Sequence, residues 1–221
     1  MATILYLPSS GAGAVTPTPS ATDWDGHVNS INRPLNFTRA DTALATVAYS
    51  PDAVDHLADL ATMHTQFVSQ LLPPQTIAAQ QITFGARCLE AAASNNLFPA
   101  WKLYGCNASG SSNLGNLVAW FKSATAEMST SITGYCETRV GSAVTFTEPW
   151  RLVLEVGADG LPVNTATDTH NHSWAFGDPM ATGSQNLPQQ ADTTACTPCL
   201  IFDKDIDIKF FLRAPTLNLG V

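Results

Sequence analysis

The amino-acid sequence predicts an all-β fold, an antiparallel β-sandwich of jelly-roll type with an extended N-terminal arm and at most one or two short helices. Three observations carry this: apolar and polar residues alternate with period two in several segments, turn-forming tracts separate those segments, and helical periodicity is almost absent. The composition suits a many-turned core-forming domain, with 45% hydrophobic residues, 13% charged residues, 14 Gly and 14 Pro in 221 residues. That length fits one sandwich domain, so residues 1–23 are assigned to the arm and residues 24–221 to the domain.

Residues Thr3 to Leu7 form a short β-prone run, followed by Pro8-Ser-Ser-Gly-Ala-Gly and Thr16-Pro-Thr-Pro-Ser, which hold neither a ladder nor a helix. This stretch reads as an extended arm, either a floppy terminus or a strap that orders on a neighbouring subunit; on the second reading, removal of Met1 to Ser20 is expected to weaken attachment while sparing the fold. From Trp24 to Thr38 the chain is irregular. Thr42 to Leu60 is Ala-rich with Asp52, Asp55 and Asp59 at near-helical spacing, and Ser50-Pro51 is the start expected for one short helix.

Beyond it the alternation is clear. Ile82, Phe84, Ala86 and Cys88 share one face, against Gln81, Thr83, Gly85 and Arg87 on the other. The same period predicts strands over Phe98 to Cys106, Ile132 to Val140, Trp150 to Val156 and Asp205 to Phe210. Asn107-Ala-Ser-Gly-Ser-Ser-Asn and Gly157-Ala-Asp-Gly read as turns, and Pro162 to Thr197 as a long polar loop interrupted by Ser173-Trp-Ala-Phe. Without helical crossovers between them, such strands pair antiparallel.

Charge and cysteine usage bound the function. A net charge of -8 with 10 Lys and Arg offers no cationic surface for nucleic acid or an anionic membrane, and neither is expected as a partner. No apolar run is long enough for a membrane-spanning helix, and the opening Met-Ala-Thr-Ile-Leu-Tyr-Leu lacks the basic start of a secretory signal. Five Cys, at 88, 106, 136, 196 and 199, fit a reducing compartment better than a disulfide framework.

Cys196-Thr-Pro-Cys199 has the spacing of a redox or zinc pair, but no second such pair exists and a strand-like Leu200-Ile-Phe follows it rather than a helix. His170-Asn-His172 places two imidazoles on one face of an extended chain, the weak candidates for a metal, with no third ligand evident. No Gly-x-Ser-x-Gly elbow, facing acid pair or phosphate-cradling glycine motif is present, and Glu137, Glu148 and Glu155 read as strand-surface residues. No catalytic residue and no cofactor are assigned. Trp101, Trp120 and Trp150 fall in apolar segments and are expected in the core. Trp24 and Trp174 lie in polar stretches and are the candidates for stacking on a sugar ring.

Trp150-Arg-Leu-Val-Leu-Glu-Val-Gly157 followed by Ser173-Trp-Ala-Phe-Gly-Asp178-Pro resembles a strand-loop-strand arrangement of tailed-bacteriophage virion proteins. The tracts Tyr6-Leu-Pro-Ser-Ser-Gly and Pro-Thr-Pro-Ser-Ala-Thr-Asp-Trp24 are similar too, so the resemblance covers about a quarter of the chain. The cysteine and histidine pairs are not part of it. The resemblance implies a non-enzymatic β-sandwich of the virion, assembled in the host bacterial cytoplasm. Such a protein decorates and stabilises the capsid as a cement protein, with copies of itself, a trimer being the expected number, and the major capsid protein as partners. The alternatives are a neck or tail accessory protein and a carbohydrate-binding, receptor-binding module.

Overall fold

A computed structural model describes residues 2–20, 22–27, 31–38, 42–49, 60–93, 96–123, 127–160, 171–178 and 198–208. Its ordered elements are all strands: β1 (Thr3–Tyr6), β2 (Gly26–His27), β3 (Asn32–Leu35), β4 (Thr42–Tyr49), β5 (Leu60–Ser69), β6 (Gln75–Ile77), β7 (Gln80–Glu90), β8 (Leu97–Asn107), β9 (Asn113–Lys122), β10 (Thr133–Gly141), β11 (Val144–Phe146), β12 (Trp150–Gly160), β13 (His172–Asp178) and β14 (Cys199–Phe202).

They form two packed sheets and a small ribbon. In the first sheet β7 is central, with β10 along one edge; β13 and β14 lie end to end along the other, extended outward by β4 and β1. All these pairings are antiparallel. The second sheet runs β9-β8-β12-β5 antiparallel, and the short β2 and β3 run parallel along the outer edge of β5. β6 and β11 form the ribbon. The chain passes directly from one sheet to the other between β1 and β2, β3 and β4, β4 and β5, β7 and β8, β9 and β10, and β12 and β13, so the architecture is an all-β sandwich.

The alternation read from the sequence has its cause here. Ile82, Phe84, Ala86 and Cys88 of β7 point inward, and Leu152, Leu154 and Val156 of β12 meet them from the facing sheet. Phe84 touches Trp101 and Trp174, with ring centroids 5.4 and 5.9 Å apart, and Phe67 meets Phe176 edge-on at 4.8 Å. Trp150 stacks on Phe146 at 3.8 Å while its Nε1 donates to the Pro73 carbonyl. Trp101 and Trp150 are in the core as expected, whereas Trp120 is only half-buried.

Several local expectations are corrected. The Ala-rich stretch Thr42 to Tyr49, to which the sequence pattern assigns no element, is strand β4, because pairing with β13 outweighs the helix propensity of its alanines. The helix start at Ser50-Pro51 lies outside the described residues. Gly157-Ala-Asp-Gly is not a turn: β12 continues through it to Gly160. Asp205 to Ile208 is not a strand. Its backbone is served by side chains instead, the Gln75 amide bonding both N–H and C=O of Asp207 and the Thr3 hydroxyl accepting from Ile206 N–H. Ile206 still enters the core.

The arm is part of the body. β1 pairs with β14, and Leu5 and Leu7 are buried in the main core, which stabilises the fold by about 1.5–3 kcal/mol per side chain. Deleting residues 1–20 therefore removes a strand and two core residues, contrary to the expectation that the fold would be spared. Among the described residues no helix is long and apolar enough to cross a membrane.

Candidate functional site

Residues 15–20 and 22–25 lie over the outward face of the second sheet, and the chemistry-bearing groups gather beneath them. On β12 the inward positions are taken by Leu152, Leu154 and Val156, so Glu155 points outward, where a strand-surface carboxylate was expected to meet water. It is 0% exposed. The segment that covers it was not legible as a cover, because nothing local in Val15 to Asp25 specifies which sheet face it crosses.

The carboxylate is held by three donors from three elements. Trp24 Nε1 donates to Oε2 at 2.8 Å; Gln66 Nε2 and Tyr104 Oη donate to Oε1 at 3.1 and 2.9 Å. Gln66 lies on β5 and Tyr104 on β8, the two neighbours of β12, which is why strand pairing brings them to one point. Burial is the main cause that raises the Glu155 pKa above the usual carboxylate range; the three hydrogen bonds and nearby Lys102 act against it. Burial also raises the Tyr104 phenol, reinforced by the Glu155 charge, so Tyr104 remains a donor.

The covering segment is tied down along its length. Gln66 Nε2 also reaches the Pro17 carbonyl, Asn32 Nδ2 donates to the Val15 carbonyl at 2.9 Å, and Lys102 is ion-paired with Asp23. Trp24 meets Trp120 edge-on at 5.8 Å, and Val15 packs on Val68, Tyr104, Cys106 and Val153. At Gly157 an added Cβ would stand 2.0 Å from the Thr62 carbonyl oxygen and 2.8 Å from the Trp24 ring. Glycine is needed there for close approach of the β5 backbone first and of the indole second, not for a turn.

A cleft of about 240 Å³ opens beside this network, lined by Pro17, Thr18, Lys102, Tyr104, Cys106 and the 110–113 turn. Cys106 is its one thiol, and burial pushes it up to about 11, away from the reactive thiolate. Glu155 itself is sealed from the cleft's solvent. The arrangement is suited to clamping a chain segment on a sheet, since every strong acceptor and donor in it is directed at another part of the same chain.

The sequence-predicted residues fall as follows. Trp24 is 3% exposed and Trp174 0%, so neither presents a ring face to a ligand: Trp24 is the clamp on Glu155, and Trp174 lies between Phe84 and Phe176 in the core. Polar neighbours in sequence misled here, because Trp174 alternates inward on β13 whatever flanks it. His170 lies outside the described residues. His172 is buried on β13, and its ring is 5.6 Å from that of His64. His64 sits where β5 bulges against Val156/Gly157, which turns both His64 and Thr65 inward. Among the described residues no group of three His, Cys, Asp or Glu converges to hold a metal. Cys88, Cys106 and Cys199 are buried and Cys136 is half-buried; Cys196 lies outside the described residues.

Fold and site thus define an antiparallel β-sandwich whose N-terminal segment is strapped over one sheet by a buried carboxylate. No protein-family model matches the chain, and no curated protein matches it. Among solved structures, a CocE/NonD family hydrolase from Staphylococcus aureus is similar at 11% identity and a TM-score of 0.48, over 91% of this chain and 36% of that one. The chain therefore spans about a third of the hydrolase's length. The sugar-binding EclA C-terminal domain is similar over 62% of this chain and 78% of its own, at 10% identity and a TM-score of 0.27. The Eiger TNF of S. frugiperda is similar over 67% and 95%, at 11% identity and a TM-score of 0.26.

Proposed function

We propose that this chain is a non-enzymatic assembly protein, a virion component of a tailed bacteriophage that coats the capsid as a cement protein. The observation that carries the reading is the outward face of the first sheet. Among the described residues it presents the half-buried Ile4, Tyr6, Thr83, Thr138 and Ile201 and the exposed Val140, with Arg87 as the charged side chain, in a protein of net charge -8. A broad, nearly uncharged sheet face is suited to lying against another protein surface, because little charge has to be desolvated. The buried carboxylate, phenol and indole of the other sheet serve the strap, which supports a role in contact rather than in turnover. Many weak contacts on a lattice would together hold firmly.

The sugar-binding alternative loses its two indoles, both being buried. The assembly reading is tested by mixing the full-length protein with undecorated phage heads and imaging them. Regular decoration is expected, and it should be abolished by Thr83→Lys with Thr138→Lys, which charges the sheet face. Heads that stay bare with the unmodified protein would overturn the reading.

A further inference from the structure

We propose that Arg33 anchors a site for a small oxyanion, a carboxylate or a phosphate, at the seam where the arm runs along the edge of the second sheet. The inference is independent of the assembly reading. It rests on a buried cation whose counter-charge the described residues do not supply.

Arg33 stands at an inward position of β3. Leu35, two residues on, enters the main core, and Phe67, the register partner of Arg33 on β5, is fully buried in it. An apolar residue is expected at such a position, yet it holds a guanidinium on a residue that is 9% exposed. The arm closes over this edge. Tyr6 and Asn36 exchange backbone hydrogen bonds, Gly13 N–H donates to the Asn32 carbonyl, and the Leu7 carbonyl accepts from Gly177 N–H near the end of β13. The arm, β3 and the first sheet thus meet around the side chain.

Donor by donor, the guanidinium is under-served. Nη1 donates to the Pro8 carbonyl at 3.5 Å, a long contact. Nε is closed to solvent and has no acceptor. Nη2 has none among the described residues either, but it is not sealed, so the fork reaches solvent at that nitrogen. The charge is also unbalanced: no carboxylate among the described residues pairs with it. Burial lowers the Arg33 pKa with no carboxylate acting the other way, and a guanidinium does not shed its proton in a protein. A buried charge left in this state is costly, whereas one whose hydrogen bonds are completed by an anion is compensated.

The free edge has the geometry an oxyanion needs. Nε–H and Nη2–H lie parallel on one side of the guanidinium, at the spacing of two oxygens of a carboxylate or a phosphate. An anion entering at Nη2 brings its second oxygen to Nε and fastens the arm to β3. With a net charge of -8 the protein's field does not gather anions, so the fork must select its ligand by shape.

The test is urea unfolding of the full-length protein, followed by circular dichroism, in sodium chloride, sodium acetate or sodium phosphate at equal ionic strength. Acetate or phosphate at about 50 mM should raise the midpoint of the unmodified protein by about 0.5 M or more and then saturate, as a ligand bound only by the folded state does. Arg33→Met keeps the stem and removes the charge, and should lose this rise. Arg33→Lys keeps the charge without the paired N–H edge and should lose most of it. In chloride, Arg33→Met should be no less stable than the unmodified protein, because it removes an uncompensated buried charge. Equal rises in all three proteins would show a general salt effect and overturn the site, as would the lack of a saturating rise in the unmodified protein. A clear loss of stability for Arg33→Met in chloride would mean that the chain itself supplies the counter-charge, and would overturn it too. Should Arg33→Met fail to fold, the comparison of Arg33→Lys with the unmodified protein decides.

Discussion

Replacing Trp24 by Phe isolates what the strap's anchor contributes. The substitution keeps an aromatic ring near Trp120 and removes the Nε1–H that meets Glu155 Oε2 at 2.8 Å. A hydrogen bond to a charged group contributes about 1.5–3 kcal/mol, and to a neutral one about 0.5–1.5 kcal/mol. The smaller ring also gives up contact area, which adds about 1 kcal/mol. The total loss should therefore be about 2–4 kcal/mol when Glu155 is ionised, and about 1 kcal/mol less in acid, where it is protonated. Urea unfolding followed by circular dichroism reads this as a lower midpoint at unchanged slope; with a slope of about 2–3 kcal/mol/M, the fall is about 1 M. Combining Trp24→Phe with Glu155→Gln should give a coupling of about 1 kcal/mol or more, since the two groups touch. A loss under about 0.5 kcal/mol, or additivity within error, would refute the claim that this bond holds the strap.

The pH dependence of Glu155 has a definite sign. Its folded pKa is raised above the unfolded value of about 4.3, so its contribution is fully present below that pH and is lost as pH climbs through the folded pKa. The stability of the unmodified protein relative to Glu155→Gln should thus fall with rising pH and then level off, in urea midpoints taken across that range; a rise would contradict the burial argument. Gly157→Ala, whose Cβ would meet the Thr62 carbonyl at 2.0 Å, should cost about 1–3 kcal/mol or more and shift Trp emission as Trp24 is displaced. A Gly157→Ala protein with native emission and stability would show that the indole does not need the space. In thiol labelling of the native protein, Cys136 should react before Cys106, which is buried with its pKa pushed up to about 11; the reverse order would refute the assigned burial. Deleting residues 1–7 should lower the urea midpoint markedly, because Leu5 and Leu7 leave the core; an unchanged midpoint would mean that β1 is dispensable.

Period-two alternation was sufficient to place β7, β8, β10 and β12, because on each strand alternate residues face the main core; on β8 and β12 the other face is buried as well, beneath the strap. The sequence by itself thus determined the fold class and much of the core. It did not reveal that β5 bulges at His64, that Gly157 lies inside a strand, or that Asp205 to Ile208 bonds to side chains instead of a neighbouring strand. Each of those depends on what another part of the chain offers. The same holds for the site. Trp24, Gln66, Tyr104 and Glu155 are up to 131 residues apart, and each is unremarkable in its own segment. Only the tertiary structure decided that they meet, because strand pairing sets Gln66 and Tyr104 on either side of Glu155, and the strap then closes over a carboxylate whose burial no local pattern records.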